Sequence, residues 1–393
     1  MNKLLLTSLL LSFFLSFSQV PQLTENTEIS IITIGPGSLL NDSFGHNGFR
    51  VKNEYLDVVY DYGRYPFNDP DFYINFAKGK LKYLMGAANT RDVVGLYKQQ
   101  NRTIKEQGLN LNQDQKEALL SYLSNNYKPE NRPYLYDFFY DNCATKMRDV
   151  SETVLNGDIE YKTPKVYKEE TFRDLIQNNL YWNSWGSFGI DIALGSVIDK
   201  VASPREYMFL PENIFQFFEE ASFKSSNKQV VKESRILYAQ NGDFEKDSFF
   251  TSPIFILSIL SLFILFVTYK DNKNAKRSKW LDTVLFTITG AIGLLLVLLW
   301  FATDHSATAY NYNLLWACPI SLIALFQVSK NTPKRWFISY LKFLVIMLCL
   351  MTLHWFIGVQ VYAYGLIPLL IALAVRYVYL IRFFGSKDSK KQS

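Results

Sequence analysis

Histidine and cysteine are scarce in this chain, three of each among 393 residues. His305, His354, Cys318 and Cys349 fall in or beside long apolar runs, so the polar remainder holds one histidine, His46, and one cysteine, Cys143. A lone cysteine cannot close an intramolecular disulfide, which excludes a disulfide-stapled secreted fold. Histidines, cysteines and carboxylates never cluster at ligand spacing, so no metal and no cofactor are expected. Gly35-Pro36-Gly37-Ser38 lacks the lysine and following helix of a phosphate-binding loop and reads as a turn. Asp191, Asp199 and Glu206 have nothing to unite them into an acidic site. The net charge of +5 is made largely by short basic loops between the apolar runs, so it does not point to nucleic acid.

Apolar mass is abundant by contrast: 49% of residues are hydrophobic, 16% are aromatic and the mean hydropathy is −0.01, too apolar for an ordinary soluble enzyme. Residues 1–18, with one early lysine, a short apolar run and small residues Ser16 and Ser18, read as a signal peptide. An uncleaved anchor is the alternative. Segments near 250–269, 282–302, 312–328, 336–354 and 360–382 are each long enough to cross a bilayer core of about 30 Å. Lys270, Lys273, Lys276, Arg277 and Lys279 fill the first connection, Lys330, Lys334 and Arg335 the third, and Lys387, Lys390 and Lys391 the tail. The connections 303–311 and 355–359 carry no Lys or Arg. By the positive-inside rule the uncharged connections face outward, on the side to which the signal peptide sends residues 19–248. The expected organisation is therefore a signal peptide (1–18), a periplasmic domain (19–248), a membrane domain of about five helices (249–384) and a cytoplasmic tail (385–393), in a bacterial inner membrane. Trp182, Trp185, Trp280, Trp300 and Trp355 fit core or interfacial anchors.

Within the exported part, Glu28–Ile34 reads as a strand, Gly48–Lys52 and Leu56–Tyr60 as hairpin arms around Asn53-Glu54, and Lys80–Leu84 as another strand. Leu119, Leu120 and Leu123 have helical spacing within Asn112–Asn126. The expected class is α+β. Cys143 follows an aromatic extended run and Asn142, a good N-cap, so a helix through Met147, Val150 and Val154 would begin with the cysteine in its first turn. There the dipole and free N–H groups lower a thiol pKa and could bind an oxyanion. A buried small hydrophobe, a partner-chain disulfide and a nucleophile all remain open for Cys143. His46 sits between Gly45 and Gly48 where a loop enters the first hairpin arm. With the hairpin centred near 53, position 46 lies opposite about 60, so Asp61 or Tyr62 could orient the imidazole, and a one-residue slip would move the partner to the other face.

Gly45-His46-Asn47 on an early strand followed by Asn142-Cys143 at a helix start resembles circularly permuted members of the NlpC-type papain-like superfamily, which include lecithin:retinol acyltransferase. More closely, Gly45-His46, Tyr62-Gly63, Gly79-Lys80, Leu109-Asn110-Leu111 and Tyr140-Asp141-Asn142-Cys143-Ala144-Thr145, with Gly189–Gly195 and Glu206–Pro211 downstream, are similar to the Lnb-type periplasmic domain of Bacteroidota. Ala144 stands where that pattern has Ser or Thr. The resemblance implies an α+β permuted papain-like domain ahead of the membrane helices, and a lipoprotein N-acyltransferase that acylates the α-amine of the lipidated N-terminal cysteine of other exported proteins. It also implies His46 and Cys143 as the catalytic pair, with Asn142 supporting the thiol or capping the helix. Lipidated lipoproteins would be the acceptors, and a phospholipid or the lipoprotein's own acyl chain the donor.

His305, beside Asn311 and Asn313 at the outer end of the second span, is a candidate for contact with lipid headgroups, as is Asn311. A membrane-tethered cysteine peptidase or amidase acting on cell-wall peptide, and a non-enzymatic periplasmic sensor or scaffold, are the alternative readings.

Overall fold

The computed structural model describes residues 23–24, 26–65, 71–80, 82–244 and 248–392. The expected signal peptide, 1–18, lies outside the described residues. The chain forms two compact units interleaved in sequence: Met1–Asp69, Lys82–Tyr167 and Pro204–Asp243 contribute to the first, and Pro70–Leu81, Lys168–Ser203 and Phe244–Ser393 to the second.

The first unit is organised by a seven-stranded antiparallel sheet in the order β6-β4-β3-β2-β1-β5-β7. β1 (Glu28–Ile34) is buried from its second residue onward, as its Ile-rich sequence requires of a central strand flanked on both sides. β2 (His46–Lys52) and β3 (Asp57–Arg64) form the hairpin, β4 is Lys82–Asn89, β5 Ile104–Leu109, β6 Pro133–Leu135 and β7 Val231–Tyr238. Ile32, Ile34, Val59 and Ile104 make an apolar patch on one face, joined by Val93, Val94 and Tyr97 of helix α1 (Thr90–Gln99). Three further helices of nine residues or more belong to this unit: α2 (Gln113–Asn126), α3 (Cys143–Val154) and α4 (Pro211–Glu219). α2 starts where the sequence places it, at Asn112, whose side chain accepts from the Gln115 N–H while Gln115 reaches back.

The hairpin differs from expectation in register. Its turn runs Asn53–Leu56, because the Asn53 side chain accepts from the N–H groups of Tyr55 and Leu56 while the Asn53 N–H donates to the Leu56 carbonyl. Lys52 thus pairs with Asp57 and Gly48 with Asp61, so position 46 faces beyond 61 rather than 60. The strand expected at Lys80–Leu84 begins at Lys82 and runs on to Asn89.

The second unit holds five helices long and apolar enough to cross a membrane: Pro253–Lys273, Lys279–Phe301, Ser306–Val328, Arg335–Phe356 and Tyr364–Ser386. They share a core containing Ile264, Leu285, Phe286, Phe337, Leu341 and Leu373. Two buried ion clusters tie this unit together. Arg376 pairs with Asp282 and Asp271. Arg173 pairs with Asp191 and Asp199 and donates to the carbonyls of Leu194 and Gly195. Asp191 and Asp199, separate in sequence, are thus united by one guanidinium.

Candidate active site

Asn142 is the N-cap of α3: its side-chain oxygen accepts from Ala144 and Thr145, and the Thr145 side chain accepts from the Asn142 N–H. Its amide nitrogen donates to the carbonyls of Phe138 and Phe209. A single buried side chain therefore fixes where the helix starts, and with it the position of Cys143 as the first helical residue. The cap also corrects the expected oxyanion site. The Ala144 and Thr145 N–H groups are taken by Asn142, which leaves the N–H of Cys143 itself as the first-turn donor the cap does not use.

His46 opens β2. Gly45 before it has φ +82°, and a Cβ there would lie 2.5 Å from the Ile34 carbonyl oxygen, so only glycine lets the loop turn this tightly into the strand. Side chains alternate along β2, so His46 shares a face with Gly48 and hence with its partner Asp61. His46 Nε2 lies 3.1 Å from Asp61 Oδ2, and the other carboxylate oxygen accepts from Arg64 Nε at 2.6 Å. Of the two partners the sequence offers, Asp61 or Tyr62, Asp61 is the one bonded. Nε2 is thereby occupied, which leaves Nδ1 for the thiol.

Cys143 is half-buried, and its thiol interacts with the His46 imidazole and the backbone N–H of Asn47. Gly63, at φ +95°, brings β3 backbone beside it: a Cβ there would stand 3.9 Å from Cys143 Cβ and 4.0 Å from the Tyr134 hydroxyl. Burial opposes charge on both members of the pair. For His46 it is outweighed by Tyr97, Cys143 and the Asp61 hydrogen bond, and the imidazolium persists well above the usual histidine range. For Cys143 it is outweighed chiefly by His46, and the thiol titrates below the ordinary cysteine range. Both shifts favour thiolate and imidazolium together, the activated state of a cysteine nucleophile.

Four residues complete the surroundings without having stood out in the sequence. Arg64 holds Asp61. Tyr97 acts on His46 through its charge, and Arg102 stacks on the Tyr97 ring at 4.8 Å. The Tyr134 hydroxyl is buried without a hydrogen-bond partner among the described residues, and burial together with Cys143 keeps it neutral. Lone Arg and Tyr residues in polar segments carry no periodic or spacing signal.

His305 and Asn311 belong to the second unit. His305 Nε2 lies 2.9 Å from the Phe76 carbonyl oxygen. Asn311 is buried, and its amide donates to the carbonyls of Ile192 and Ala193. Neighbouring Asn313 donates to the carbonyl of Asp191. The Gly189–Gly195 stretch thus acts as a backbone acceptor for the first turns of the third span. Trp182, Trp185 and Trp280 are exposed on the described surface, as interfacial anchors are.

A sheet domain that gathers cysteine, histidine and aspartate, followed by five membrane-spanning helices, defines a polytopic membrane protein with an extracytoplasmic domain. Residues 22–178 match the family model for the Lnb N-terminal periplasmic domain, and residues 244–388 match that for the Lnb transmembrane domain. The chain belongs to the Lnb family, as a multi-pass inner-membrane protein with a periplasmic domain. No curated protein and no solved structure matches it.

Proposed function

We propose that this chain is a lipoprotein N-acyltransferase working through a cysteine thioester, with Cys143 as nucleophile, His46 as acid and base, Asp61 as the group that orients His46, and Asn142 as the cap that places Cys143. The observation that carries the reading is the series Cys143, His46, Asp61, with the cysteine at a helix start and both pKa shifts favouring the ion pair. Family membership supports lipoprotein acylation, and the order of histidine strand before cysteine helix supports a permuted papain-like domain.

The Cys143 thiolate attacks an ester carbonyl of a lipid donor, forming the S–C bond. As the C–O bond breaks, the departing alkoxide takes the proton of the His46 imidazolium. The α-amine of the acceptor's lipidated cysteine then attacks the thioester, gives its proton to the now neutral His46, and expels the thiolate. The resting ion pair is restored. The N–H of Cys143, left unused by the cap, is the donor we assign to the developing oxyanion, with the unpartnered Tyr134 hydroxyl as a second. A membrane domain serves a reaction whose donor and acceptor are both lipid-anchored, and excluding water from the thioester favours the amine over hydrolysis.

Mass spectrometry of lipidated N-terminal peptides from cells carrying the wild type, a deletion or Cys143→Ala tests the reading. Loss of the amide-linked acyl chain in both mutants is expected. Unchanged peptides would sink it.

A further inference from the structure

The connection between β3 and β4 leaves the first unit and joins the second as Pro70–Leu81. It contains a helix, Phe72–Lys78, closed by Gly79 in the left-handed region at φ +70°. Ile74 is 54% and Phe76 55% exposed. Two large apolar side chains exposed on so short a helix, with Lys78 and Lys80 following, have the composition of a segment that lies in a membrane interface.

Contacts within the second unit fix the level at which this helix lies. The Asp304 N–H donates to the Lys78 carbonyl at 2.9 Å, and His305 Nε2 lies 2.9 Å from the Phe76 carbonyl oxygen. The Phe76 and His305 rings meet edge to face at 6.3 Å, and Lys80 pairs with Asp304 at 3.5 Å. Glycine is required at 79 for the approach as well as for its φ: a Cβ there would stand 2.8 Å from the His305 nitrogen and 2.9 Å from the Asp304 carbonyl carbon. Asp304 and His305 follow the second span, which ends at Phe301. The Thr308 hydroxyl lies 2.7 Å from the Leu299 carbonyl oxygen and 3.0 Å from that of His305, which ties this loop back to the last turn of the span. Phe301 and Tyr310, both exposed, pack on Trp300 with ring separations of 4.6 and 5.3 Å, as in the aromatic belt at the end of a span. Asp304 stands three residues past Phe301, at most about 11 Å of extended chain, and less in a loop that folds back. The headgroup layer on each side of the hydrocarbon is about 5–7 Å deep. The helix therefore sits at the level of that layer.

We propose that Phe72–Lys78 is a membrane-inserted element, in which Ile74 and Phe76 enter the outer leaflet beside the end of the second span while Lys78 and Lys80 keep their ammonium groups among the headgroups. Asp71 and Asp304 balance the two lysines, so the occupant of the exposed face is the acyl-chain boundary of the leaflet rather than an acidic partner. Gly79-Lys80, for which the candidate active site has no use, is the point at which the segment seats against the span. β3, which carries Asp61 and Arg64, thus continues along the chain into a segment held in the bilayer. This gives the periplasmic domain a second attachment to the membrane, besides the one that leads into the first span. The contact does not depend on the acyl-transfer reading.

The test uses the full-length protein in phospholipid nanodiscs, carrying Cys143→Ala so that no thioester adds lipid-derived mass. The photoreactive residue p-benzoylphenylalanine replaces Ile74 or, for comparison, Tyr55, which is 88% exposed in the turn between β2 and β3. After irradiation the peptides are weighed. Position 74 should carry adducts of phospholipid mass bonded through an acyl chain, and position 55 should carry none. A position 74 without lipid adducts, or with no more than position 55, overturns the proposal. So does a cross-link from position 74 to a second copy of the chain, which would make that copy the occupant.

Discussion

Replacing Asp61 with asparagine keeps the size of the group facing His46 but removes its charge. In the wild type the imidazolium donates from Nε2 to Asp61 Oδ2 at 3.1 Å, and this bond is among the causes that lift His46 well above its usual range. A hydrogen bond to a charged partner contributes about 1.5–3 kcal/mol, and one pKa unit corresponds to about 1.4 kcal/mol. The variant's His46 should therefore titrate roughly 1–2 units lower. The consequence for activity has a definite sign. The thiolate–imidazolium pair exists between the lowered Cys143 limb and the raised His46 limb, so the rate should be bell-shaped, with apparent values belonging to the pair. Asp61→Asn should move the alkaline limb down by that amount and lower the rate at its plateau by about 10- to 150-fold. Stability carries the same sign. A raised histidine stabilises the fold fully below about pH 6.5 and loses that contribution as pH rises through the folded-state value, and the variant should lose it earlier. The assay is the initial rate of lipopeptide N-acylation by full-length protein in phospholipid nanodiscs across pH. An alkaline limb that stays where it was would refute the assignment of Asp61 as the orienting group.

Three further outcomes are expected. Asn142→Ala should lower stability by roughly 1–3 kcal/mol, losing a cap and two bonds to carbonyls; Asn142→Ser, which keeps the cap alone, should recover part of this in thermal melts. Gly63→Ala should cost about 1–2 kcal/mol, because an L-residue is strained at φ +95°; it should also slow iodoacetamide alkylation of Cys143, measured by peptide mass spectrometry. Arg173→Ala leaves Asp191 and Asp199 buried without their cation and should destabilise the second unit by about 3–5 kcal/mol, read as loss of folded protein in detergent; an unchanged melt would show that the cluster is solvated.

Much was legible in the sequence because it depended on local chemistry. The five spans follow from bilayer thickness and apolar length, and their orientation from lysines and arginines in short connections. β1 is written in a run rich in β-branched Ile29, Ile31, Ile32, Thr33 and Ile34, and the start of α3 in Asn142, a residue suited to capping a helix. The candidate pair could be named because each half of it is unique in the exported part. That the two are brought together was another matter, since 97 positions separate His46 from Cys143 and only the packing of α3 against the β2–β3 hairpin brings thiol and imidazole into contact. The choice of Asp61 turned on hairpin register, which is set by the Asn53 side chain bonding the N–H groups of Tyr55 and Leu56.

Composition and spacing by themselves determined that this is an exported domain on five membrane helices with one cysteine and one histidine to offer, because hydrophobic length, charge bias and capping act over a few residues. Only the tertiary structure decided the interleaving of the two units, the Arg173 cluster that unites Asp191 with Asp199, and the meeting of Asp61, His46 and Cys143, because each depends on which distant segments exclude water together, and that is a property of the packed chain.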